Sequence, residues 1–380
     1  MTDHGDFEIT PRELADRLEG GEAMQVLDIR APHRLAAGVV EAERFFNVRG
    51  SELMSGADPA EAGLDPDAPV VVVCGHGNSS QPVTHYLRMT GWTAQSLKGG
   101  VTAWMNLLRQ RVLATPEGVD HFVQFDRVGK GSLGYLIVSG EEALAVDPSR
   151  HWSAWRDAAR EAGARLVGTA DTHVHADFIS GSPRLSHELG VPYYLHPADN
   201  VYPYDGTPGR LAFEPVEHGE VIRVGRAEVR VDHTPGHTEG SVSLHVADDV
   251  VLTGDFLFVA SIGRPDLAGK TEEWAGALWE SLVRARDGWP KEVVVYPAHY
   301  GSAEERNSDL SVGRPLADLM ARNPTLSIET EAEFRDTVER RVSTPPDVYR
   351  TIKTINVGLV NATPDEAQVL EAGKNECALG

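Results

Sequence analysis

Short apolar runs at Val26–Ile29 and Val70–Val73 are bounded by Gly, Pro and Asp, and helix-like spacing of apolar positions at Pro11–Leu18 lies between and around them. That alternation predicts an α/β unit. It closes on Gly99-Gly100 and an apolar helix over Val101–Leu108, and Thr115-Pro116-Glu117-Gly118 reads as a linker. From Phe122 the texture changes to strands joined by tight turns, at Tyr135–Val138, Ala143–Val146, Glu228–Asp232, Ser241–Val246, Val250–Leu252 and Val293–Tyr296. Helical patterns at Trp152–Ala162 and Glu272–Arg286 interrupt them. This is compatible with a sheet-on-sheet core covered by helices, although periodicity alone does not define the strand order. The stretch Leu310–Gly380 is charged and mostly helical in pattern, and no internal repeat occurs.

Composition narrows the picture. A chain of 380 residues suits two or three domains with ordinary cores. Its formal net charge of -22 argues against nucleic acid as a partner, because a diffuse negative field repels phosphates. Met1–Thr10 lacks a basic region followed by an apolar run, and no uncharged apolar stretch is long enough to span a membrane, so a cytoplasmic protein without a membrane partner is expected. Two cysteines, Cys74 and Cys377, make no disulfide framework.

Candidate chemistry concentrates in Thr172-His173-Val174-His175-Ala176-Asp177, just after the apolar run Leu166–Val167. In extended backbone every second side chain shares a face, so His173, His175 and Asp177 are expected to converge on one point. Three more ligand-type residues end other apolar runs: His237 in Thr234-Pro235-Gly236-His237-Thr238, Asp255 in Thr253-Gly254-Asp255, and His299 in Tyr296-Pro297-Ala298-His299. Isolated histidines carry no such weight. His245 alternates with Val242, Leu244 and Val246 and is read as facing solvent with Ser243, and His187 lies in a polar helix.

These residues resemble the metallo-β-lactamase superfamily, whose H-x-H-x-D-H motif and later histidines bind one or two metals. Here the motif reads H-V-H-A-D-F, with Phe178 in place of the last histidine, a ligand of the second metal. Within the superfamily the persulfide dioxygenases, or sulfur dioxygenases, are similar at Pro235-Gly236-His237-Thr238, Thr253-Gly254-Asp255, Gly263-Arg264-Pro265-Asp266 and Tyr296-Pro297-Ala298-His299, over about Phe122–His299. The resemblance implies one Fe(II) per subunit held by His173, His237 and Asp255, with His175, Asp177 and His299 orienting ligands and water or adding a ligand. Two imidazoles and a carboxylate on one face of an octahedron leave three positions for substrate and O₂. The activity implied is oxidation of a low-molecular-weight thiol persulfide, such as that of glutathione, with O₂ to sulfite and free thiol. Arg264 beside Asp266 is read as a structural pair.

The run Val70–Val73 leads directly into Cys74-Gly75-His76-Gly77-Asn78-Ser79-Ser80, a strand, a cysteine-led loop and a helix start. Loop N–H groups at a helix N-terminus stabilise a thiolate or a persulfide. Residues 8 to 110 resemble a single rhodanese domain, from Val26-Leu27-Asp28-Ile29-Arg30 through Cys74 to Gly99-Gly100-Val101-Thr102-Ala103-Trp104. Two departures stand out: Gly38-Val39-Val40 replaces the usual Gly-His-Ile, and Ser79 stands where many active loops carry arginine. The expected organisation is therefore a rhodanese-like α/β domain at 1–115, an αββα metallo-β-lactamase-type sandwich at 116–305 and a helical extension packed on it at 306–380. Cys74 is expected to carry persulfide sulfur for the second domain.

Rival readings are a zinc thioesterase of the glyoxalase II kind and a non-catalytic persulfide carrier or sensor. Homo-oligomerisation and the identity of the carrier thiol stay open. Gly129-Lys130-Gly131-Ser132-Leu133-Gly134 spells a dinucleotide loop, but a strand rather than a helix follows it. Cys377 lies in a polar tail with no neighbouring base and is read as non-catalytic. Tyr202, Tyr204 and Arg210 occupy a Pro/Gly-rich loop that is a candidate cover for substrate.

Overall fold

The structure, a computed structural model, describes residues 7–379, so the Met1–Asp6 part of the leader reading lies outside the described residues. The chain divides into two compact units: Met1–Arg109 with Arg127–Lys130 and Ala372–Lys374, and Gln110–Asp126 with Gly131–Glu371 and Asn375–Gly380.

The first unit is built on β1 (Glu8–Ile9), β2 (Gln25–Asp28), β3 (Arg44–Asn47), β4 (Val70–Val73) and β5 (Ala94–Leu97), in the spatial order β1-β5-β4-β2-β3. All these pairings are parallel. A parallel sheet needs cover on both faces, which is why its strands read as uninterrupted apolar runs. Val26, Val71 and Val73 pack with Leu14, Val101 and Trp104 on one face, and Leu27, Val70 and Val72 with Leu53, Val83 and Leu87 on the other. The Pro11–Glu19 helix starts at a capping box: Thr10 Oγ1 accepts from Glu13 N at 3.2 Å, while Thr10 N donates to the Glu13 carboxylate at 2.8 Å. The helix expected through Leu108 stops at Met105, and 108–112 is extended.

The second unit contains two sheets. One runs β12-β11-β10-β9-β8-β7-β6 across the strands β6 (Leu108–Val112), β7 (His121–Arg127), β8 (Ser132–Ser139), β9 (Glu142–Val146), β10 (Arg165–Ala170), β11 (Tyr193–Leu195) and β12 (Glu214–Pro215). The other follows chain order through β13 (Val221–Val224), β14 (Ala227–His233), β15 (Val242–Val246), β16 (Val250–Gly254), β17 (Val294–Pro297) and β18 (Arg314–Pro315). Phe122, Ile137, Leu144 and Val146 from the first sheet meet Val229, Val231, Leu244 and Leu252 from the second in one core.

Helices cover the outer faces. Trp155, on the Ser153–Glu161 helix, stacks on Phe125 at 4.0 Å and donates to Tyr135 O. Leu278 and Leu282 of the Thr271–Gly288 helix pack on Val251 and Val295, joined by Leu316, Leu319, Phe334 and Val338 of the later helices. The chain is thus an N-terminal parallel α/β unit followed by an αββα sandwich with a helical C-terminal region. No helix among the described residues is long and apolar enough to cross a membrane.

Helix cover also corrects the reading of His245. It is 2 % exposed, edge-on to the Trp289 ring at 4.9 Å and 3.7 Å from Asp232, because β15 is buried on both faces. Strand alternation marks opposite faces but does not say that either one is wet.

Candidate metal centre

Four strand ends of the second unit supply the site. His173 follows β10, His237 follows β14, Asp255 follows β16 and His299 follows β17. The exit from β16 depends on Gly254, whose φ is +53° and where a Cβ would lie 2.4 Å from Thr172 Oγ1.

His173, His175 and Asp177 do not converge on one point. Backbone regularity ends at Ala170, and Thr172 N is tied to Asp147 at 2.7 Å and Val174 N to Asp199 at 2.7 Å. The His173 and His175 rings stay in edge contact at 4.3 Å, but the ligand-type atoms of the three side chains join different groups. His173 meets His237 and Asp255, His175 meets Asp147 and Asp171, and Asp177 meets His299 and Cys377; within each group of three the ligand-type atoms lie within 4.8 Å of one another.

The first group has the donor set of a metal site. His173 Nε2, His237 Nε2 and Asp255 Oδ2 are all buried and lack a hydrogen-bond partner. The carboxylate oxygen lies 3.6 Å from the first nitrogen and 3.4 Å from the second. A buried polar atom left unsatisfied costs about 1–3 kcal/mol, so three that face each other are the arrangement a cation satisfies.

The far sides of these groups are held. His237 Nδ1 contacts Arg264 O at 3.0 Å, which makes Nδ1 the donor and leaves Nε2 the lone pair. His173 Nδ1 lies 3.1 Å from Thr172 Oγ1, and His299 Nδ1 lies 2.6 Å from Asp255 Oδ1. Burial pushes the His237 imidazolium pKa well down. For Asp255, burial favours the neutral acid, but His299 and His173 outweigh it and hold the carboxyl well below its usual range. Burial likewise opposes charge on His299, yet Asp177 and Asp255 raise its pKa to about 10.

The second group is a hydrogen-bonded network. Asp147 Oδ1 lies 3.2 Å from His175 Nε2, and Asp171 accepts from Ser180, Ser182 and Tyr193 hydroxyls. Phe178 is 1 % exposed and stacks on His175 at 4.2 Å. The third group brings in Cys377, a fully buried thiol whose backbone carbonyl accepts from Arg264 N at 3.0 Å. Arg264 itself grips Asp266 with two bonds, of 2.7 and 2.6 Å, and donates to the carbonyls of Glu376 and Ser343.

Asp147, Asp171, Asp199 and Lys353 escaped the sequence reading, and Cys377, read there as a non-catalytic thiol of a polar tail, joins the third group. Asp147 and Asp171 each directly follow a strand, the same signal that marked Asp255. Asp199 joins two ligand loops, accepting from Val174 N at 2.7 Å, Thr238 Oγ1 at 2.8 Å and Gly240 N at 2.7 Å. Nothing in local spacing points to Lys353 or Cys377.

In the first unit, Cys74 ends β4 and is 4 % exposed. Gly77 N donates to its Sγ at 3.1 Å, and Ser80 Oγ lies 3.3 Å away. The loop locks onto the glycine pair: Val101 N donates to Cys74 O and Thr102 N to Gly75 O. A Cβ at Gly100 would fall 2.3 Å from Cys74 O. A cavity of about 630 Å³ opens at the sulfur, lined by Arg30, Arg34, Arg49, His76 and Ser79 among others. Arg30 is committed to Asp28 at 2.6 Å, whereas Arg34 and Arg49 are exposed at the wall, Arg49 at 4.0 Å from Glu52. Positive charge thus reaches this cavity from outside the cysteine loop.

Fold and site together define a metallo-β-lactamase superfamily member. The superfamily's family model matches residues 128–299 and the rhodanese-like domain model matches 10–107. An uncharacterized protein of Aquifex aeolicus is 31% identical over 188 residues, covering 46% of this chain and 87% of that protein; the chain belongs to the metallo-β-lactamase superfamily. Human mitochondrial persulfide dioxygenase ETHE1 is 33% identical over 170 residues, which cover 43% of this chain and 62% of the human protein. The crystal structure of ETHE1 from Myxococcus xanthus superposes with a TM-score of 0.52 at 26% identity, covering 67% of this chain and 99% of that one.

Proposed function

We propose that the chain is a non-haem Fe(II) persulfide dioxygenase coupled to sulfur transfer through Cys74. The observation that carries this reading is the convergence of His173 Nε2, His237 Nε2 and Asp255 Oδ2, three buried atoms with no hydrogen-bond partner. Two nitrogens and one carboxylate oxygen from one side suit Fe(II) with open positions, and likeness to the two ETHE1 proteins supports the same choice. When bound there, iron supplies the redox chemistry that joins dioxygen to sulfur. The net reaction balances as R-S-SH + O₂ + H₂O giving R-SH + SO₃²⁻ + 2 H⁺, with the terminal sulfur oxidised and dioxygen reduced.

The residues of the chain orient and exclude. Arg264 O holds the His237 ring in one tautomer, and His299 Nδ1 donates to Asp255 Oδ1 and orients that carboxylate. Phe178 and His175 form a stacked wall that keeps water from that side. In the first unit, the Gly77 N–H and Ser80 hydroxyl stabilise anionic sulfur on Cys74, while Arg34 and Arg49 attract an anionic donor despite Ser79.

A second reading has its own observation: Asp177, His299 and Cys377 form another group with ligand-type atoms within 4.8 Å. Filled with a thiophilic ion such as zinc, it would favour a dinuclear hydrolase of the thioesterase kind. Metal analysis of anaerobically purified full-length protein, combined with an oxygen electrode and glutathione persulfide, separates the two. One iron per chain with persulfide-dependent oxygen uptake is expected; two zinc ions with thioester hydrolysis and no oxygen uptake overturns the dioxygenase.

A further inference from the structure

A cavity of about 380 Å³ opens beside the metal-ligand loops, with Val174, Asp199, Tyr204, Thr238, Trp274 and Lys353 in its wall. Val174 adjoins His173 and Thr238 adjoins His237 in the chain, so two wall residues are direct neighbours of metal-ligand candidates. Lys353, on the Val348–Asn356 helix, is 1 % exposed. Its ammonium lies 5.9 Å from the Trp274 ring centre and has no hydrogen bond or ion pair among the described residues. Asp199 favours the charged form from beyond ion-pair distance, so the ammonium has a counter-charge while its donors stay unused among the described residues.

The acidic groups around the cavity are already engaged. Asp199 shares its two carboxylate oxygens among three donors. Asp205 accepts from Thr207 N at 2.9 Å, and Glu239 lies 3.8 Å from Lys270. Lys270 itself sits 5.9 Å from the Trp274 ring centre, and Arg350 lies 4.3 Å from the centre of the Tyr204 ring. Lys270 and Lys353 thus line the cavity together with Asp199, Asp205 and Glu239, and of the two cations Lys353 is the one without an ion pair among the described residues.

We propose that Lys353 binds a carboxylate on the carrier part of the substrate, so that the enzyme selects persulfides of carboxylate-bearing thiols over neutral ones. This rests on the persulfide reading above. With the terminal sulfur at the metal end, the carrier extends into the cavity, where Trp274 and Tyr204 cover its apolar atoms and Lys353 meets its charge. Lys353 sets specificity at a distance from the reacting sulfur.

The test compares metal-loaded full-length protein with Lys353→Met, using glutathione persulfide and the neutral persulfide of 2-mercaptoethanol in an oxygen electrode. A charged hydrogen bond is worth about 1.5–3 kcal/mol, or on the order of 10- to 100-fold. Lys353→Met is expected to lose that factor in kcat/KM on glutathione persulfide, mostly through KM, and to stay within about twofold on the neutral substrate. Its melting temperature is expected to hold or rise, because an unpaired buried charge has been removed. Equal losses on both substrates, or a lower melting temperature with no change in preference, overturns the assignment. If neither persulfide supports oxygen uptake, the oxidation reading fails by itself. Calorimetric titration with glutathione then decides the pocket: binding weakened by Lys353→Met supports it, and unchanged binding overturns it.

Discussion

The Cys74 loop and the metal centre both sit where strands end, yet they are assembled over very different spans of chain. Around Cys74, residues 74–80 and 99–102 supply the contacts to its sulfur and loop carbonyls, and backbone N–H groups do much of the work. The metal centre draws on His173, His237 and Asp255, whose far sides are held by Thr172, by the Arg264 carbonyl and by His299. A contiguous loop carries its geometry with it, whereas a dispersed centre depends on many tertiary contacts being right at once. Damage should therefore stay local at the first site and spread at the second.

The sharpest way to break that comparison is a crossed pair of substitutions. His237→Ala is expected to abolish metal retention and reduce persulfide oxidation by more than about a thousandfold, while sulfur transfer from Cys74 stays within about twofold. Cys74→Ser is expected to do the reverse, removing sulfur transfer and sparing oxidation of supplied persulfide. Metal analysis, oxygen uptake and a sulfur-transfer assay on each variant read this out; loss of both activities from either change would show one coupled centre.

A smaller effect is expected from the residues that hold the loops. Asp199→Ala strands three donors on the two ligand loops and should cost about 3 kcal/mol in urea unfolding, with weaker metal retention. Ser80→Ala removes one contact to Cys74 Sγ and one to Ser96, and should cost about 1 kcal/mol without changing metal content. Similar losses in both variants would erase the contrast between a dispersed and a contiguous site. Smallest of all, Arg49→Ala should raise the half-saturating concentration of thiosulfate about threefold in the sulfur-transfer assay, because an exposed cation contributes less than about 1 kcal/mol. No change there means that the exposed arginine does not substitute for the loop arginine.

Local order is what the chain announces by itself. Uninterrupted valines at 70–73 declare a strand buried on both faces, and the glycines at 99 and 100 mark where the backbone closes on Cys74. His237, Asp255 and His299 stand after apolar runs, and strand ends are where loops gather, so their candidacy was legible from spacing. Phe178 was equally legible as a break in the histidine motif. Alternation misled at His173, His175 and Asp177, because the strand ends at Ala170 and the following loop turns each side chain toward a different neighbour.

Only the folded chain could bring Lys353 to the cavity walled by Val174 and Thr238, or bury the tail cysteine against Asp177 and His299. Their positions follow from how the C-terminal helices pack on the sandwich, a sum of many weak apolar contacts with no local signature. Sequence determined most of the elements and the candidate ligand residues because those depend on neighbours a few bonds away. Tertiary structure decided which groups face each other, which are dry and which are left without a partner, because burial and long-range contact are properties of the whole packed chain.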